Sequence, residues 1–460
     1  MKLTADEIAS AVGGEIIKGD AAKEITGVAT DTRTLRVGDA FFALTGEERD
    51  GYAFLDDAVG RGATALVVSQ KPKGATGDAI VIVVADTLRA LGDLAARHRR
   101  KSEVWIAAVT GSVGKTTTKE MTAAVLGAKG LTLKNAGNFN NEIGLPLTIF
   151  EITPEHKYAV LEMAMRGPGE IDRLAEIAQP EVGLITNIGI SHIERLGSIE
   201  AIARAKGELM GRLPKSGSAV LDADSEWWDF LGRLAPCPII GFGFSERAHV
   251  RGGDLTLDEK GCPTFTVTVK GRPHPTRMRL AAPGEHNAKN ALAAVAVGLH
   301  FGIEPEEAAE TLRSCTLPEM RMNVTTTAAG VTVIDDTYNA SPASMAAALR
   351  LMGTLRGKRK IAVLGDMLEL GDQTAAAHRE VGELAVESGA KLLVTVGERA
   401  VDIASGAKSA GLSEDAVTSL GDSGEVAEAV KRLLLPGDVV LVKGSRAMKM
   451  ELVVEGLLSE

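Results

Sequence analysis

The feature that most constrains this chain is a glycine-rich stretch between an apolar run and a helix-forming segment. The stretch reads VTGSVGKTTTKEM (Val109–Met121), follows the β-type run Val104–Val109 and opens the predicted helix Thr117–Lys129. Glycines at such a junction let backbone N–H groups approach phosphate oxygens, and the helix dipole favours negative charge there. The sequence therefore predicts a strand, a phosphate-binding loop and a helix in an α/β fold.

Each position of this stretch has an expected role in binding a nucleotide. Lys115 is expected to reach the outer phosphates, and the Thr116 hydroxyl is expected to bind Mg²⁺. The common pattern has a further glycine where this chain has Val109, so the stretch is a shortened variant, TGxxGKT. A chance glycine loop is the alternative. The predicted nucleotide-binding residues here, called the phosphate loop below, are Thr110, Gly111, Ser112, Val113, Gly114, Lys115, Thr116 and Thr117.

Length, charge and cysteine content narrow the class of protein. A chain of 460 residues, 45% hydrophobic and 24% charged, is typical of a globular protein of about three domains. Its net charge of −10 argues against a nucleic-acid partner, which requires a basic patch. The cysteines Cys237, Cys262 and Cys315 lack CxxC spacing, which argues against disulfides and zinc. With no signal-peptide pattern and no membrane-length apolar run, we expect a cytoplasmic protein without membrane insertion.

The alternation of predicted elements divides the chain into three α/β domains. We expect a small N-terminal domain (1–85), a central P-loop domain with a parallel sheet (86–316) and a C-terminal Rossmann-like, doubly wound domain (317–460). Within the central domain, Phe265–Val269 alternates with period two and predicts an antiparallel excursion. The predicted parallel strands are Val104–Val109, Tyr158–Met163, Val182–Asn187, Ala219–Asp222, Val331–Asp335, Lys360–Leu364, Leu392–Val396 and Val439–Val442.

Unusual polar residues follow the central strands, where ligands of a parallel sheet gather. Glu162 ends one strand and is a hard oxygen ligand suited to Mg²⁺, with a helix-capping or salt-bridged carboxylate as the alternative. His192 follows another strand, and a single histidine there is equally often structural. Lys206 lies on the next helix, and its position alone predicts a surface lysine.

Three further groups are candidates for binding a nucleotide. Asn287 and Asn290, one helical turn apart, are suited to an adenine edge, although capping or solvent exposure is the alternative. Arg321 comes just after the start of the third domain, where it would reach back to a phosphate. Asp335 and Asp336 end a strand and suit a ribose hydroxyl or a metal-bound water.

The N-terminal domain has one informative segment, Asp31–Gly51. Its loops beside strands suit a polar, charged ligand, although ordinary turn chemistry is an equally simple explanation. The candidate ligand-binding residues are Thr32, Arg33, Gly46, Asp50 and Gly51.

Several motifs in order resemble the ATP-dependent Mur ligases of peptidoglycan synthesis over essentially the whole chain. They are TGSVGKTT, NFNNEIGLP, LEM with Glu162, TNIGISH with His192, AKGE with Lys206, GEHNAKNALAA and DDTYNASP. Within that family, DDTYNASP, LGDMLELG and KGSRAMKME resemble the members that join D-alanyl-D-alanine to UDP-N-acetylmuramoyl-tripeptide. The DNPR-type signature of the members that add a diamino acid is not seen. Arg166 and Gly167 stand where many members have Asn-His, so no role is carried over there.

The resemblance implies ATP and Mg²⁺ as cofactors and assigns roles. Lys115, Lys206, His192 and Arg321 would be catalytic, and Thr116, Glu162, His192 and Lys206 would hold metal. Lys206 would be carbamylated, which reverses its interpretation as a surface lysine. Outside the phosphate loop, the expected nucleotide contacts are Asn287, Asn290, Arg321, Asp336 and Tyr338. The expected substrate contacts are the five N-terminal residues, for the uridine diphosphate, and Asn138, Asn140, Asn339, Ser445 and Arg446.

The resemblance also implies a mechanism, in which ATP converts the tripeptide carboxylate into an acyl phosphate that the amine of D-alanyl-D-alanine attacks. Domain closure would keep water away from that intermediate. We expect a monomer with small-molecule substrates. Other functions stay open at this point: a diamino-acid-adding Mur ligase, a folylpolyglutamate synthetase, a motor or regulatory ATPase, and an inactive nucleotide-binding scaffold.

Overall fold

The structure is a computed structural model that describes residues 2–46, 50–74, 76–191 and 193–459. Three successive α/β regions, each with a mostly parallel sheet, make up this part of the chain. The domain limits 1–85, 86–316 and 317–460 stay a proposal.

The N-terminal region has a five-stranded sheet in the order β2-β7-β6-β5-β4, in which β4, β5, β6 and β7 run parallel and β2 is antiparallel to β7. Strands such as ALVV and IVIV are buried on both faces, as continuous apolar runs in a parallel sheet are. A short antiparallel pair, β1 with β3, lies beside the first helix. The elements are β1 (Leu3–Thr4), α1 (Ala5–Val12), β2 (Glu15–Lys18), β3 (Glu24–Ile25), β4 (Gly27–Ala29), β5 (Asp39–Phe42), α2 (Leu55–Gly60), β6 (Ala65–Val68), β7 (Ile80–Val83) and α3 (Thr87–Arg100), with a 3-10 turn at Gly51–Phe54.

The central region contains a nine-stranded sheet in the order β16-β15-β14-β13-β12-β11-β8-β10-β9. Its strands are β8 (Trp105–Thr110), β9 (Thr132–Lys134), β10 (Tyr158–Glu162), β11 (Val182–Ile185), β12 (Ser218–Asp222), β13 (Ile239–Gly243), β14 (Val250–Leu257), β15 (Pro263–Val269) and β16 (Thr276–Arg279). Its helices are α4 (Lys115–Gly127), α5 (Gly144–Phe150), α6 (Glu170–Ala178), α7 (Ile193–Leu196), α8 (Ile199–Gly211), α9 (Trp228–Leu234), α10 (His286–His300) and α11 (Pro305–Arg313).

Strand β8 lies at the switch point of this sheet, because β10 pairs with one of its edges and β11 with the other, both parallel. Its alternate side chains enter two separate cores: Ala107 and Val109 pack with α4 and α10, whereas Ile106 and Ala108 pack with α6 and α8. Helices therefore cover both faces, and the carboxyl end of β8 is the expected ligand position of such a sheet. The predicted antiparallel excursion is confirmed, since β15 is antiparallel to β14 and β16.

The C-terminal region has a six-stranded sheet in the order β17-β18-β22-β19-β20-β21, parallel except for the edge strand β17. Neighbouring residues of β19 again enter different cores, with Ala362 and Leu364 on one face and Ile361 and Val363 on the other. This doubly wound arrangement is the one predicted. The elements are β17 (Asn323–Thr326), β18 (Thr332–Asp336), α12 (Pro342–Thr354), β19 (Lys360–Gly365), α13 (Thr374–Glu387), β20 (Ala390–Val396), α14 (Val401–Ser409), β21 (Val417–Leu420), α15 (Val426–Lys431), β22 (Val439–Lys443) and α16 (Glu451–Leu458), with 3-10 turns at Gly371–Gln373, Glu414–Ala416 and Arg446–Met448.

Two predicted boundaries differ from the structure for a local reason. The strand predicted to reach Asn187 ends at Ile185, because the next two side chains turn to bond the phosphate loop. The helix predicted from Thr117 begins at Lys115, directly after Gly114 in a left-handed conformation.

Candidate active site

The phosphate loop is held against its neighbours more closely than any side chain at its glycines would allow. Gly111 has φ +147°, and a Cβ there would lie 1.9 Å from Thr186 Oγ1. Gly114 has φ +82°, and a Cβ there would lie 2.9 Å from Asn290 Oδ1. Glycine is therefore required at Gly111 for backbone conformation and for space, and at Gly114 chiefly for its backbone conformation. The first N–H groups of α4, which have no partner within the helix, give the loop the geometry of an anion site.

The segment after β11 fixes the shape of the loop through side-chain hydrogen bonds. Thr186 Oγ1 and Asn187 Nδ2 donate to the Val113 carbonyl at 2.6 and 2.9 Å, and Val113 N–H donates to Asn187 Oδ1 at 3.0 Å. The Ser112 hydroxyl donates to the Gly189 carbonyl and accepts from Gly189 N–H, both at 2.9 Å. We did not predict this role for Thr186 and Asn187. Their position after a strand neighbouring β8 was the available signal.

Lys115 folds back over the loop and is electrostatically coupled to two other predicted residues. Its Nζ donates to the Gly111 carbonyl at 2.9 Å and to the Ser112 carbonyl at 3.3 Å. Burial lowers the pKa of the Lys115 ammonium, the Glu162 carboxylate opposes that shift, and the charge of Arg321 adds to it. The pKa of this lysine therefore responds to one charge from the second region and one from the third.

Glu162 carries a buried oxygen that has no protein partner. The side chain ends β10, beside Val109 of β8, and is 3% exposed. Its Oε1 accepts from Asn140 Nδ2 at 2.8 Å, whereas Oε2 is buried without a hydrogen-bond partner among the described residues. Buried polar atoms in native proteins nearly always have partners, so this oxygen points to a missing ligand. A carboxylate oxygen of this kind, with the buried Thr116 hydroxyl on the first turn of α4, fits the hard ligand set that Mg²⁺ prefers.

Lys206 is buried in the centre of α8, so its sequence-based interpretation as a surface lysine was wrong. The side chain is 1% exposed, and burial, followed by the charge of Lys115, lowers the pKa of its ammonium well below the usual range. Burial disfavours the charged ammonium, and the neutral amine is the form that reacts with CO₂. His192, the other predicted metal ligand, lies outside the described residues. In the described part of the chain, this site included, no group of three or more His, Cys, Asp or Glu could hold a metal ion.

The asparagines at the start of α10 connect the loop to the rest of the site. Asn290 Oδ1 accepts from Thr118 Oγ1 at 3.2 Å, and Asn290 Nδ2 donates to Asn287 Oδ1 at 2.9 Å. Asn287 is fully buried and donates to the Pro283 carbonyl at 2.6 Å. Asn290 thus lies against the loop while Asn287 lies behind it, and contact of either with adenine stays a prediction.

The predicted C-terminal nucleotide residues form a connected cluster. The Arg321 guanidinium stacks over the Tyr338 ring, with its Cζ 4.1 Å from the ring centroid. Asp336 is buried and forms an ion pair with Lys443, a residue that we did not predict. The in-register pairing of Asp336 with Lys443 across β18 and β22 explains this contact.

The predicted substrate residues of the second and third regions differ in exposure. Ser445 is 3% exposed, and its Oγ accepts from Leu368 N–H at 3.0 Å. Arg446 is exposed and paired with Glu451 at 3.0 Å. Asn138 and Asn339 are exposed, and Asn140 bonds Glu162 as described above. Arg166 is exposed and donates only its backbone N–H to Glu170 at 3.0 Å among the described contacts, and Gly167 is half-buried.

The predicted residues of the N-terminal region cluster on its own loops. Thr32 is buried, and Arg33 pairs with Asp31, whose carboxyl pKa this hydrogen-bonded partner lowers to about 2. Asp50 accepts from Tyr52 N–H at 3.0 Å, and Gly51 packs so closely that a Cβ would lie 2.7 Å from the Leu44 backbone. Gly46 is exposed, next to residues 47–49, which lie outside the described ranges.

The fold and these contacts define a P-loop enzyme equipped for phosphoryl transfer. Family models match in three successive segments: the "Mur ligase family, catalytic domain" at 24–99, the "Mur ligase middle domain" at 109–298 and the "Mur ligase, glutamate ligase domain" at 320–446. The chain belongs to the Mur ligase family and is an ATP-dependent ligase. Across the described residues no helix combines the length and apolarity needed to cross a membrane.

Three individual relatives illustrate the similarity. The UDP-N-acetylmuramoyl-tripeptide--D-alanyl-D-alanine ligase of Bacillus subtilis is 38% identical, over 96% of this chain and 97% of its own length. A crystal structure of MurF from Acinetobacter baumannii superposes with a TM-score of 0.92 at 32% identity, covering 100% of this chain and 99% of that one. MurF ligase from Thermotoga maritima, solved in complex with ADP, superposes with a TM-score of 0.82 at 28% identity and covers 93% and 96%.

Proposed function

We propose that this chain joins D-alanyl-D-alanine to UDP-N-acetylmuramoyl-tripeptide at the expense of ATP, a step of peptidoglycan precursor synthesis. The observation that carries the proposal is a tightly packed phosphate loop with Lys115 folded over it, next to a strand that ends in Glu162 with a buried, partnerless oxygen. The names of relatives that cover the full chain support the choice of acceptor. We further propose that the chain acts as a cytoplasmic monomer.

The chemical problem is to join a carboxylate to an amine in water. The tripeptide carboxylate oxygen attacks the γ-phosphorus of ATP, which gives an acyl phosphate and releases ADP. The amine of D-alanyl-D-alanine then attacks the carbonyl carbon, loses a proton and expels phosphate from the tetrahedral intermediate. Lys115 and Arg321 would offset negative charge on the transferring phosphoryl group, which is the main source of catalysis in such reactions.

The metal and the modified lysine belong to this proposal as expected additions to the chain. Thr116, Glu162, His192 and a carbamylated Lys206 would hold Mg²⁺, and the ion would supply charge neutralisation on the phosphates. The partnerless Glu162 oxygen and the buried Lys206 amine, whose pKa burial lowers, support that assignment. Asn140 would keep Glu162 oriented through its 2.8 Å hydrogen bond.

The remaining residues are proposed to bind the rest of the reactants. The phosphate loop would hold ATP together with Asn287, Asn290, Asp336 and Tyr338. Thr32, Arg33, Gly46, Asp50 and Gly51 would hold the uridine diphosphate. The peptide and the incoming dipeptide would contact Asn138, Asn140, Asn339, Ser445 and Arg446.

The test is phosphate release with ATP and UDP-N-acetylmuramoyl-tripeptide, measured with and without D-alanyl-D-alanine. We expect release that depends on the dipeptide and stoichiometric formation of the UDP-linked pentapeptide by mass spectrometry. Parallel reactions supply UDP-N-acetylmuramoyl-dipeptide with a diamino acid, or folate with glutamate. Turnover that ignores the dipeptide, or that prefers either alternative acceptor, would contradict the proposal.

A further inference from the structure

We propose that Lys443 is a positioning residue for Arg321, acting through Asp336 and the turn Met320–Met322 that carries the arginine. The inference rests on the proposed role of Arg321 in binding the transferring phosphoryl group. It concerns a lysine that is remote in sequence from every residue predicted to bind phosphate. The Asp336–Lys443 ion pair and the backbone of the turn carry it.

The turn that bears Arg321 has an unusual backbone conformation. Met320 and Met322 both lie in the left-handed region, with φ +59° and +55°. Residues other than glycine adopt this region at a cost, so two of them around one arginine require surrounding contacts that hold them. The conformation of this turn is therefore fixed by contacts with its neighbours.

Asp336 supplies one of those contacts from inside the C-terminal core. Its Oδ1 accepts from Met322 N–H at 3.2 Å, on the residue directly after Arg321. On the other side of the arginine, the Met320 carbonyl accepts from Tyr338 N–H at 3.1 Å, and the Tyr338 ring lies under the guanidinium. The end of β18 and the loop after it therefore contact the turn on both sides of Arg321.

Lys443 holds this strand end in place. It is 1% exposed at the end of β22, and its Nζ bonds the Asp336 carboxylate and the Asn339 carbonyl, the latter at 2.8 Å. One ammonium therefore joins the start and the end of the segment Asp336–Asn339, which includes Tyr338. Without it, the Asp336 carboxylate would be buried without its cation, and both contacts on the Arg321 turn would lose their support.

A double-mutant cycle on nucleotide affinity tests this route. The variants are Arg321→Ala, Lys443→Met and their combination, and the readout is the Kd for a non-hydrolysable ATP analogue. Because one hydrogen-bonded charge on phosphate is at stake, we expect Arg321→Ala and Lys443→Met each to weaken binding on the order of 10-fold or more. The double variant should bind no more than about threefold worse than Arg321→Ala, as coupled residues do. Lys443→Arg should recover most of the loss, and Lys391→Met, an exposed lysine on β20 of the same sheet, should change nothing.

The same variants are then assayed for dipeptide-dependent phosphate release, with rates normalised to the folded, nucleotide-binding fraction. We expect Lys443→Met to lower kcat on the order of 10²-fold, as misplacement of a catalytic group from a distance does. Multiplicative effects in the cycle would overturn the inference, because Lys443 would then act on the nucleotide by a route other than Arg321, such as the proposed contact of Asp336. A normalised rate equal to wild type would overturn it as well. Because the affinity cycle involves no acceptor, loss of dipeptide dependence in the wild type would refute the proposed function alone.

Discussion

Replacement of Gly111 by alanine tests how tightly the phosphate loop is built. A Cβ there would lie 1.9 Å from Thr186 Oγ1, and alanine would have to adopt φ +147°. A side chain in a sparsely populated backbone region costs about 1–3 kcal/mol. Displacing Thr186 also breaks its hydrogen bond to the Val113 carbonyl, worth about 0.5–1.5 kcal/mol. Together these terms predict a loss of about 1.5–4.5 kcal/mol, or on the order of 10-fold or more in nucleotide affinity.

The measurement is calorimetric titration of Gly111→Ala with ADP. The matched control is Gly127→Ala at the end of the same helix, where an added Cβ meets nothing within 4 Å. That control should bind ADP as the wild type does. Adding Thr186→Ala to Gly111→Ala should restore part of the affinity, because the closest clashing atom is gone. An alanine at 111 that binds within threefold of wild type, or additive effects of the two substitutions, would refute the steric argument.

Three further predictions concern buried charges. Removal of dissolved CO₂ should lower ligase activity and bicarbonate should restore it, whereas Lys206→Arg should be inactive and insensitive to bicarbonate, because a guanidinium does not form a carbamate. Burial lowers the pKa of His286 to about 4 from 6.5, so the unfolded chain binds its proton first as the pH falls. The stability that neutral His286 contributes should therefore be fully present above pH 6.5 and fall by up to about 3 kcal/mol toward pH 4. Denaturant titrations of wild type and His286→Phe at several pH values check this. Equal dependence of the free energy of unfolding on pH in the two proteins would contradict it. Arg99→Ala should destabilise the chain by about 3 kcal/mol in thermal or chemical unfolding. The reason is that Arg99 is 7% exposed and its removal leaves Glu181 without its cation. A change in the free energy of unfolding under about 0.5 kcal/mol would argue against this prediction.

Local sequence pattern predicted the parts of the molecule that depend on neighbouring residues. The phosphate loop follows from glycine spacing between a strand and a helix, and the family follows from ordered motifs. Period-two alternation at Phe265–Val269 was enough to find the antiparallel extension of the central sheet. Each of these signals lies within a few consecutive residues, where backbone geometry and side-chain period are directly linked.

The parts that the sequence did not predict depend on contacts between distant segments. Lys206 is identified as buried only once α8 is packed on the sheet. Asp336 meets Lys443, 107 positions away, because β18 and β22 are neighbours in a sheet whose strand order is not the chain order. Asn287 is fully buried whereas Asn290 is only partly buried, a difference that their spacing along the helix does not reveal, and their contact with adenine stays a prediction. Spacing along one helix gives the angle between two side chains but not which of them faces the core.

The location of Arg321 has a mechanical consequence. The cation that influences Lys115 is carried by the short connection that leads from the central sheet into the last one. Any rotation of the final domain about this connection would also move the Arg321 guanidinium. The same short segment would then act as the hinge and carry the charge proposed to act in catalysis. Substitutions that change the flexibility of this connection should then alter the turnover rate, although the substituted residues do not contact ATP. Activity would depend on the orientation of the final domain.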